Sequence, residues 1–220
     1  MLISSILLYL TASAFAQSSE SGSEASSSSS SVSHASSSSS SSSNAKPPSH
    51  NGPCPKVVVD PLDYNRLVGE WYEVQRSVNN YKKSSRCHKA MLREPINNVS
   101  TMIEKSFSTL ACQTETSVSR VIETDLGSKV TYFLPTVGSV SRIFSTLYMD
   151  YDDFLIAWSC DDYGNYHIEK SWVFSREPAQ PHNIEKVKCD VFAKFNLTKP
   201  KMIRSKFANC DSIFCSYDFS

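Results

Sequence analysis

The chain has 220 residues, with 22 Lys and Arg against 22 Asp and Glu. This balance gives no electrostatic footing for nucleic acid, an anionic membrane or a polybasic partner. The length allows one or two domains, but the N-terminal quarter lacks the apolar residues of a core, which leaves room for one.

Leu2 to Leu10 form a short apolar run that leads into Ala14-Phe15-Ala16. A membrane span needs about 20 apolar residues, and the small residues Ala14 and Ala16 fit a cleavage site. Residues 1–16 are therefore read as a secretory signal peptide, although no Lys or Arg precedes the run. Later segments are not apolar enough to span, so no transmembrane segment is expected and the mature chain is expected to be soluble, secreted and extracellular. Residues 17–51 are dominated by Ser, with Glu20, Glu24 and His34 among them. Such a segment cannot offset the entropy of ordering its backbone, so disorder is expected. It reads equally well as an O-glycosylated spacer or as a tail without a role. Seven cysteines in an exported chain point to disulfides. The sequons at Asn98 and Asn196 mark two candidate glycosylation sites.

From Pro53-Cys54-Pro55 onward, short segments rich in β-branched and aromatic residues alternate with turn residues. Strands are predicted over 70–76, 87–93, 100–107, 116–124, 129–134, 143–149, 154–161 and 166–176. The breaks carry Asn79-Asn80, Pro95, Asp125-Leu126-Gly127, Pro135, Gly138, Asp150 to Asp153 and Asp162 to Asn165. This pattern predicts one all-β domain over 52–220, an antiparallel up-and-down meander of eight strands that closes on itself and so removes its edges. A helix follows, with Asn183 as N-cap. Ile184, Val187, Val191, Phe192 and Phe195 recur at helical spacing, and Pro200 marks the end.

Three motifs carry a family resemblance. Gly69-Glu70-Trp71 with its flanks, Asp63 to Glu73, resembles the opening Gly-x-Trp motif of the lipocalins. Met149-Asp150-Tyr151-Asp152 resembles their Thr-Asp-Tyr motif, with Met149 in place of Thr, and Arg176 in Ser175-Arg176-Glu177-Pro178 resembles the third motif. The order and separations match over 53–215. Cys54-Pro55, Cys87 and Ile156-Ala157-Trp158-Ser159-Cys160 resemble the apolipoprotein D, bilin-binding and Lazarillo subgroup. The resemblance implies a calycin barrel of eight strands with the helix packed outside, and disulfides Cys54–Cys160 and Cys87–Cys210. A Cys189–Cys215 bridge would pin the tail to the helix and leave Cys112 to join a disulfide-linked partner.

Gly69, Trp71, Asp150, Tyr151 and Arg176 are then structural residues. Trp71 covers the floor with the Arg176 guanidinium over its face. With Arg176 turned in, a period of two turns Trp172 and Phe174 in as well. Cys160 must face out to meet Cys54, which places Phe154, Ile156 and Trp158 outside, under the helix, and Leu155, Ala157 and Ser159 inside. The same alternation assigns Phe144, Thr146 and Tyr148 to the cavity, with Tyr132 as a further lining residue. An eight-stranded barrel can hold one small ligand, and this lining favours an apolar ligand with one polar group. The resemblance implies a lipid, fatty acid, retinoid, sterol or bilin. The competing expectation is an extracellular interaction protein that acts through its loops or an unpaired Cys112.

No catalytic pattern accompanies these signals. Among His34, His50, His88, His167 and His182 no pair has metal-ligand spacing. His88 adjoins a disulfide cysteine, and His167 at a strand start is read as solvent-facing rather than as a haem ligand. Residues 89–95, where some lipocalins carry a catalytic thiol, contain no Cys. No enzyme activity, cofactor or metal is expected.

Overall fold

A computed structural model describes residues 49–78, 85–134 and 137–210. The leader, the serine tract up to residue 48, the turn residues Asn79, Asn80 and Pro135, and Cys215 lie outside the described residues. The chain divides into units 1–44 and 45–220, and everything described belongs to the second.

The elements run β1 (His50–Asn51), α1 (Tyr64–Leu67), β2 (Gly69–Ser77), β3 (Ser85–Leu92), β4 (Ser100–Ser108), β5 (Gln113–Thr124), β6 (Gly127–Leu134), β7 (Gly138–Met149), β8 (Phe154–Asp162), β9 (Tyr166–Ser175), α2 (Ile184–Lys194) and β10 (Met202–Arg204). Each of the eight predicted strands is present as β2 to β9. They pair antiparallel in sequence order, and β9 returns to pair with β2, which closes the barrel. The largest boundary difference is β7, which starts at Gly138 rather than Ile143. Ser139 and Ser141 carry little strand preference of their own, but β6 pairs them with Phe133 and Thr131. Two short strands lay beyond sequence patterning, since two or three residues show no period. β1 adds to β9 and β10 adds to β2.

Three bulges interrupt the alternation of faces, one of them in β3, where the pairing with β4 steps from Arg86↔Phe107 to Lys89↔Lys105. In β2, the pairing with β9 steps from Glu73↔Phe174 to Gln75↔Val173, so Val74 is the extra residue. Val74 and Gln75 both turn outward, toward the helix. In β7, the pairing with β8 steps from Thr146↔Ala157 to Tyr148↔Ile156. Leu147 is extra there, and the inward position passes from Tyr148 to Met149.

Helix α2 covers the outer stripe as its period predicts. Ile184, Val191 and Phe192 pack with Phe154, Ile156, Trp158, Val173 and Val74 in one buried cluster. Asn183 holds the N-cap position, yet it is left-handed with φ 58° and its side chain makes no cap bond. The acidic first-turn Glu185 meets the helix dipole instead. The helix ends at Lys194, well before Pro200, where Phe195 N–H donates to the Val191 carbonyl. Lys188 is buried on this face and donates to Gln75 Oε1 at 2.6 Å and Glu185 Oε1 at 2.7 Å.

Disulfides Cys54–Cys160 and Cys87–Cys210 join residues 106 and 123 apart in sequence. The first ties the N-terminal segment to β8, and the second ties the C-terminal segment to β3. Cys112 and Cys189 have free, exposed thiols.

The tight hairpin between β5 and β6 turns on Gly127, which has φ +120°, and a Cβ there would lie 2.4 Å from the Phe144 carbonyl oxygen. Gly127→Ala is expected to lower stability by about 1–3 kcal/mol through backbone strain alone, with the clash adding to it. A urea midpoint equal to wild type would contradict this hairpin geometry.

Candidate functional site

The closed end of the barrel decides whether there is an interior. Asp63 caps α1 through its side chain, accepting from Asn65 N–H, and its own N–H donates to the Tyr151 hydroxyl at 2.8 Å. The helix places Leu67 so that its carbonyl accepts from Trp71 Nε1 at 2.8 Å. The Arg176 guanidinium lies 3.8 Å from the Trp71 ring centre. Its nitrogens donate to the carbonyls of Tyr151, Val68, Glu70 and Arg66 at 2.8–3.2 Å. Gly69 has φ +107°, and a Cβ there would approach Arg176 Nη1 to 3.2 Å. Asp150 Oδ1 accepts from Asp152 N–H and shapes the β7–β8 turn. The five motif residues thus form one plug.

Above the plug is a cavity of about 410 Å³, within the range of ligand pockets. Phe144, Thr146, Leu155, Ala157, Trp172, Phe174 and Tyr132 all line it, so the alternation assigned to β6, β8 and β9 holds. Two residues differ. Tyr148 packs outside against Phe154, with ring centres 4.9 Å apart, because the Leu147 bulge turns it out. Ser159 is buried but does not border the cavity. Phe144 and Trp172 meet at 5.3 Å and form the aromatic side of the lining.

Part of the lining is polar, and sequence reasoning missed it. Glu73, His88, Glu104, Ser117, Tyr132 and Arg142 line the same cavity. Glu73 is 1% exposed; it pairs with Arg76 Nε at 2.8 Å and with His88 Nδ1 at 3.1 Å. His88 Nε2 stands 3.6 Å from Glu104 Oε1, and Glu104 accepts from the Ser117 hydroxyl. Burial holds the Tyr132 phenol well above its ordinary pKa, and the Glu104 carboxylate beside it adds to the shift. At one side Arg142 reaches Asp161, which also holds the buried Lys170 at 2.6 Å. The signal was present: Glu73 lies two residues after Trp71, and Arg142 two before Phe144, so each shares its neighbour's face. His88, expected only as the neighbour of a disulfide cysteine, is buried inside the barrel.

A family model described as the lipocalin / cytosolic fatty-acid binding protein family matches residues 68–206, more than half of the chain. The chain belongs to the lipocalin family. Among curated relatives, apolipoprotein D of Bos taurus and of Cavia porcellus are each 24% identical over 168 residues, covering 73% of this chain and 86% of the relative. Insecticyanin from the tobacco hornworm Manduca sexta superposes with a TM-score of 0.63 at 19% identity, over 73% of this chain and 89% of its own. Lobster apocrustacyanin A1 gives 0.60 at 15% identity, over 76% and 97%. These two likenesses speak for the fold, and the apolipoprotein D matches agree with the subgroup resemblance of the cysteine motifs. As a lipocalin the chain is a binding protein and not an enzyme.

Asn98 and Asn196 are both exposed, each in a left-handed turn. Cys189 Sγ lies 3.1 Å from Lys199 Nζ on the surface of α2. His167, expected to face solvent, is buried beneath β1.

Trp71 is 4% exposed and carries the plug. Trp71→Ala is expected to cost about 3–5 kcal/mol, as truncation of a large buried aromatic does. Chemical denaturation measures this, and a loss below about 1 kcal/mol would mean that the floor does not depend on the Trp71–Arg176 stack.

Proposed function

We propose that this lipocalin is a secreted carrier of one small, mostly apolar molecule with an uncharged polar end. The observation that carries the proposal is the mixed lining of a cavity of about 410 Å³, in which Glu73, His88, Glu104, Tyr132 and Arg142 stand beside Phe144, Leu155, Ala157, Trp172 and Phe174. Burial against the apolar side chains supplies affinity at about 25 cal/mol per Å². The polar part of the lining sets orientation. Its carboxylates already pair within the protein through Arg76 and His88, so a ligand hydroxyl or carbonyl can join the network without bringing a charge of its own. This fits a retinoid, sterol, lipid, fatty acid or bilin in that order of decreasing ease, because an ionised ligand carboxylate would face Glu73 and Glu104. Export is supported by the leader pattern at 1–16, by the two disulfides and by the exposed sequons.

A second reading rests on Cys112. Its thiol is exposed in the β4–β5 turn next to Leu110, which is 78% exposed. An interaction protein would use this thiol for a disulfide-linked partner and leave the cavity without a ligand. Native mass spectrometry of the secreted protein separates the two. A co-purifying small molecule supports the carrier, whereas a covalent dimer lost in Cys112→Ser supports the interaction protein.

Ala157 faces Thr146 across the β7–β8 pairing and points inward. Ala157→Trp should abolish uptake of a fluorescent retinoid with the far-UV spectrum unchanged, while Tyr148→Ala, on the outer face, should leave uptake intact. Uptake preserved in the first variant, or lost in the second, would contradict the assigned directions of β8 and β7.

A further inference from the structure

A second cluster of polar side chains lies on the outer surface, away from the cavity, where the N-terminal segment joins the barrel. β1 brings His50 beside His167 of β9. The two imidazole rings have centres 5.2 Å apart, and Glu169 stands two residues further along the same face of β9. One ligand atom from each of His50, His167 and Glu169 converges so that all three lie within 4.8 Å of one another. His167 is buried and the other two are half-buried.

The hydrogen bonds around His167 restrict what can occupy the middle of this cluster. Its Nδ1 lies 2.9 Å from the Gly52 carbonyl oxygen. A carbonyl only accepts, so Nδ1 carries the proton and donates. In the neutral ring Nε2 is then a bare lone pair. That lone pair faces Glu169 Oε1 at 3.3 Å. Two acceptors at that distance repel unless a cation lies on or between them. Either a second proton or a metal ion supplies it. A proton on Nε2 would satisfy His167 and Glu169 and leave His50 beside them through β-pairing and ring stacking alone, whereas an ion would use all three groups.

We propose that His50, His167 and Glu169 bind one divalent transition-metal ion of the zinc type, with water completing the coordination. Two imidazoles and a carboxylate are the ligand set zinc accepts, whereas calcium and magnesium ask for oxygen ligands throughout. On a tetrahedral zinc with bonds of about 2.1 Å the ligand atoms stand about 3.4 Å apart, so these three groups, within 4.8 Å of one another, would draw together slightly around the ion. The supporting bonds are those of a metal centre. His167 donates its far N–H to a backbone carbonyl, and the Glu169 carboxylate is oriented by Trp158 Nε1, which donates to Oε2 at 3.0 Å. The ion would fasten residues 49–52 to β9, next to the Cys54–Cys160 disulfide and just after the serine tract. The sequence hides this site because His50 and His167 become neighbours only through β-pairing.

The test uses the full mature chain carrying Cys112→Ser, Cys189→Ser and Cys215→Ser, so that thiols outside the two disulfides do not bind the probe. After treatment with chelator it is titrated with Zn²⁺ alone by calorimetry and with Co²⁺ by visible absorption. One site per chain with micromolar or tighter affinity is expected, with a Co²⁺ spectrum showing nitrogen ligands. His50→Gln, a half-buried surface change, should weaken Zn²⁺ binding about tenfold or more with the far-UV spectrum unchanged, and Glu169→Gln should do the same. His34→Gln in the serine tract should leave it unchanged. The proposal is overturned if the parent shows no saturable Zn²⁺ binding, or if His50→Gln binds as the parent does. It is also overturned if ¹⁵N spectra show His167 doubly protonated in the presence of excess Zn²⁺, since a proton then fills the position.

Discussion

The structure depends on how one guanidinium closes the barrel. A closed sheet satisfies its own backbone laterally, but its end leaves carbonyls that point at nothing. Arg176 collects four of them, from Arg66, Val68, Glu70 and Tyr151, and stacks on Trp71 while doing so. Arginine suits this position because its fork donates in several directions in one plane while its face rests on an aromatic ring. A lysine would offer a single point charge. These contacts link α1, the start of β2, the β7–β8 turn and the end of β9, so the two ends of the chain's strand series are held at one point. The cavity above exists because the plug below it is complete.

Everything on the two faces of the barrel follows from strand alternation, interrupted three times. The outward stripe of β8 is apolar, and α2 covers it with Ile184, Val191 and Phe192. The bulge at Val74 puts two consecutive residues of β2 under the helix, one apolar and one, Gln75, that holds the buried Lys188. The bulge at Leu147 exchanges Tyr148 for Met149 in the lining. These two bulges change which side chains meet the cavity or the helix, without altering the number of strands.

The polar part of the cavity lining carries an energetic cost that its pairing offsets. A carboxylate taken out of water unpaired is strongly unfavourable. Glu73 is therefore held by Arg76 and His88, and Glu104 is reached by His88, Ser117 and Tyr132. Such a network gives little net stability compared with a dry apolar wall. These paired groups give the cavity hydrogen-bonding partners among its apolar side chains.

Composition and period determined a good deal by themselves. The eight strands, the helix after them and the inward faces of β8 and β9 were legible because side chains alternate with a period of two along a strand and recur at 3.6 along a helix. The plug was legible only through the resemblance of Gly69, Trp71, Asp150, Tyr151 and Arg176 to the lipocalin motifs. The polar part of the lining was legible in principle, since Glu73 and Arg142 sit in phase with Trp71 and Phe144, but an acidic residue two positions from a core tryptophan reads as surface until the barrel closes around it. The positions of the bulges, the short strands β1 and β10, and the meeting of His50 with His167 were decided only by the tertiary structure. A bulge is a mismatch between two strands, and a short pairing takes its stability from its partner. Neither exists in one segment of chain, so local sequence carries no period from which to read them.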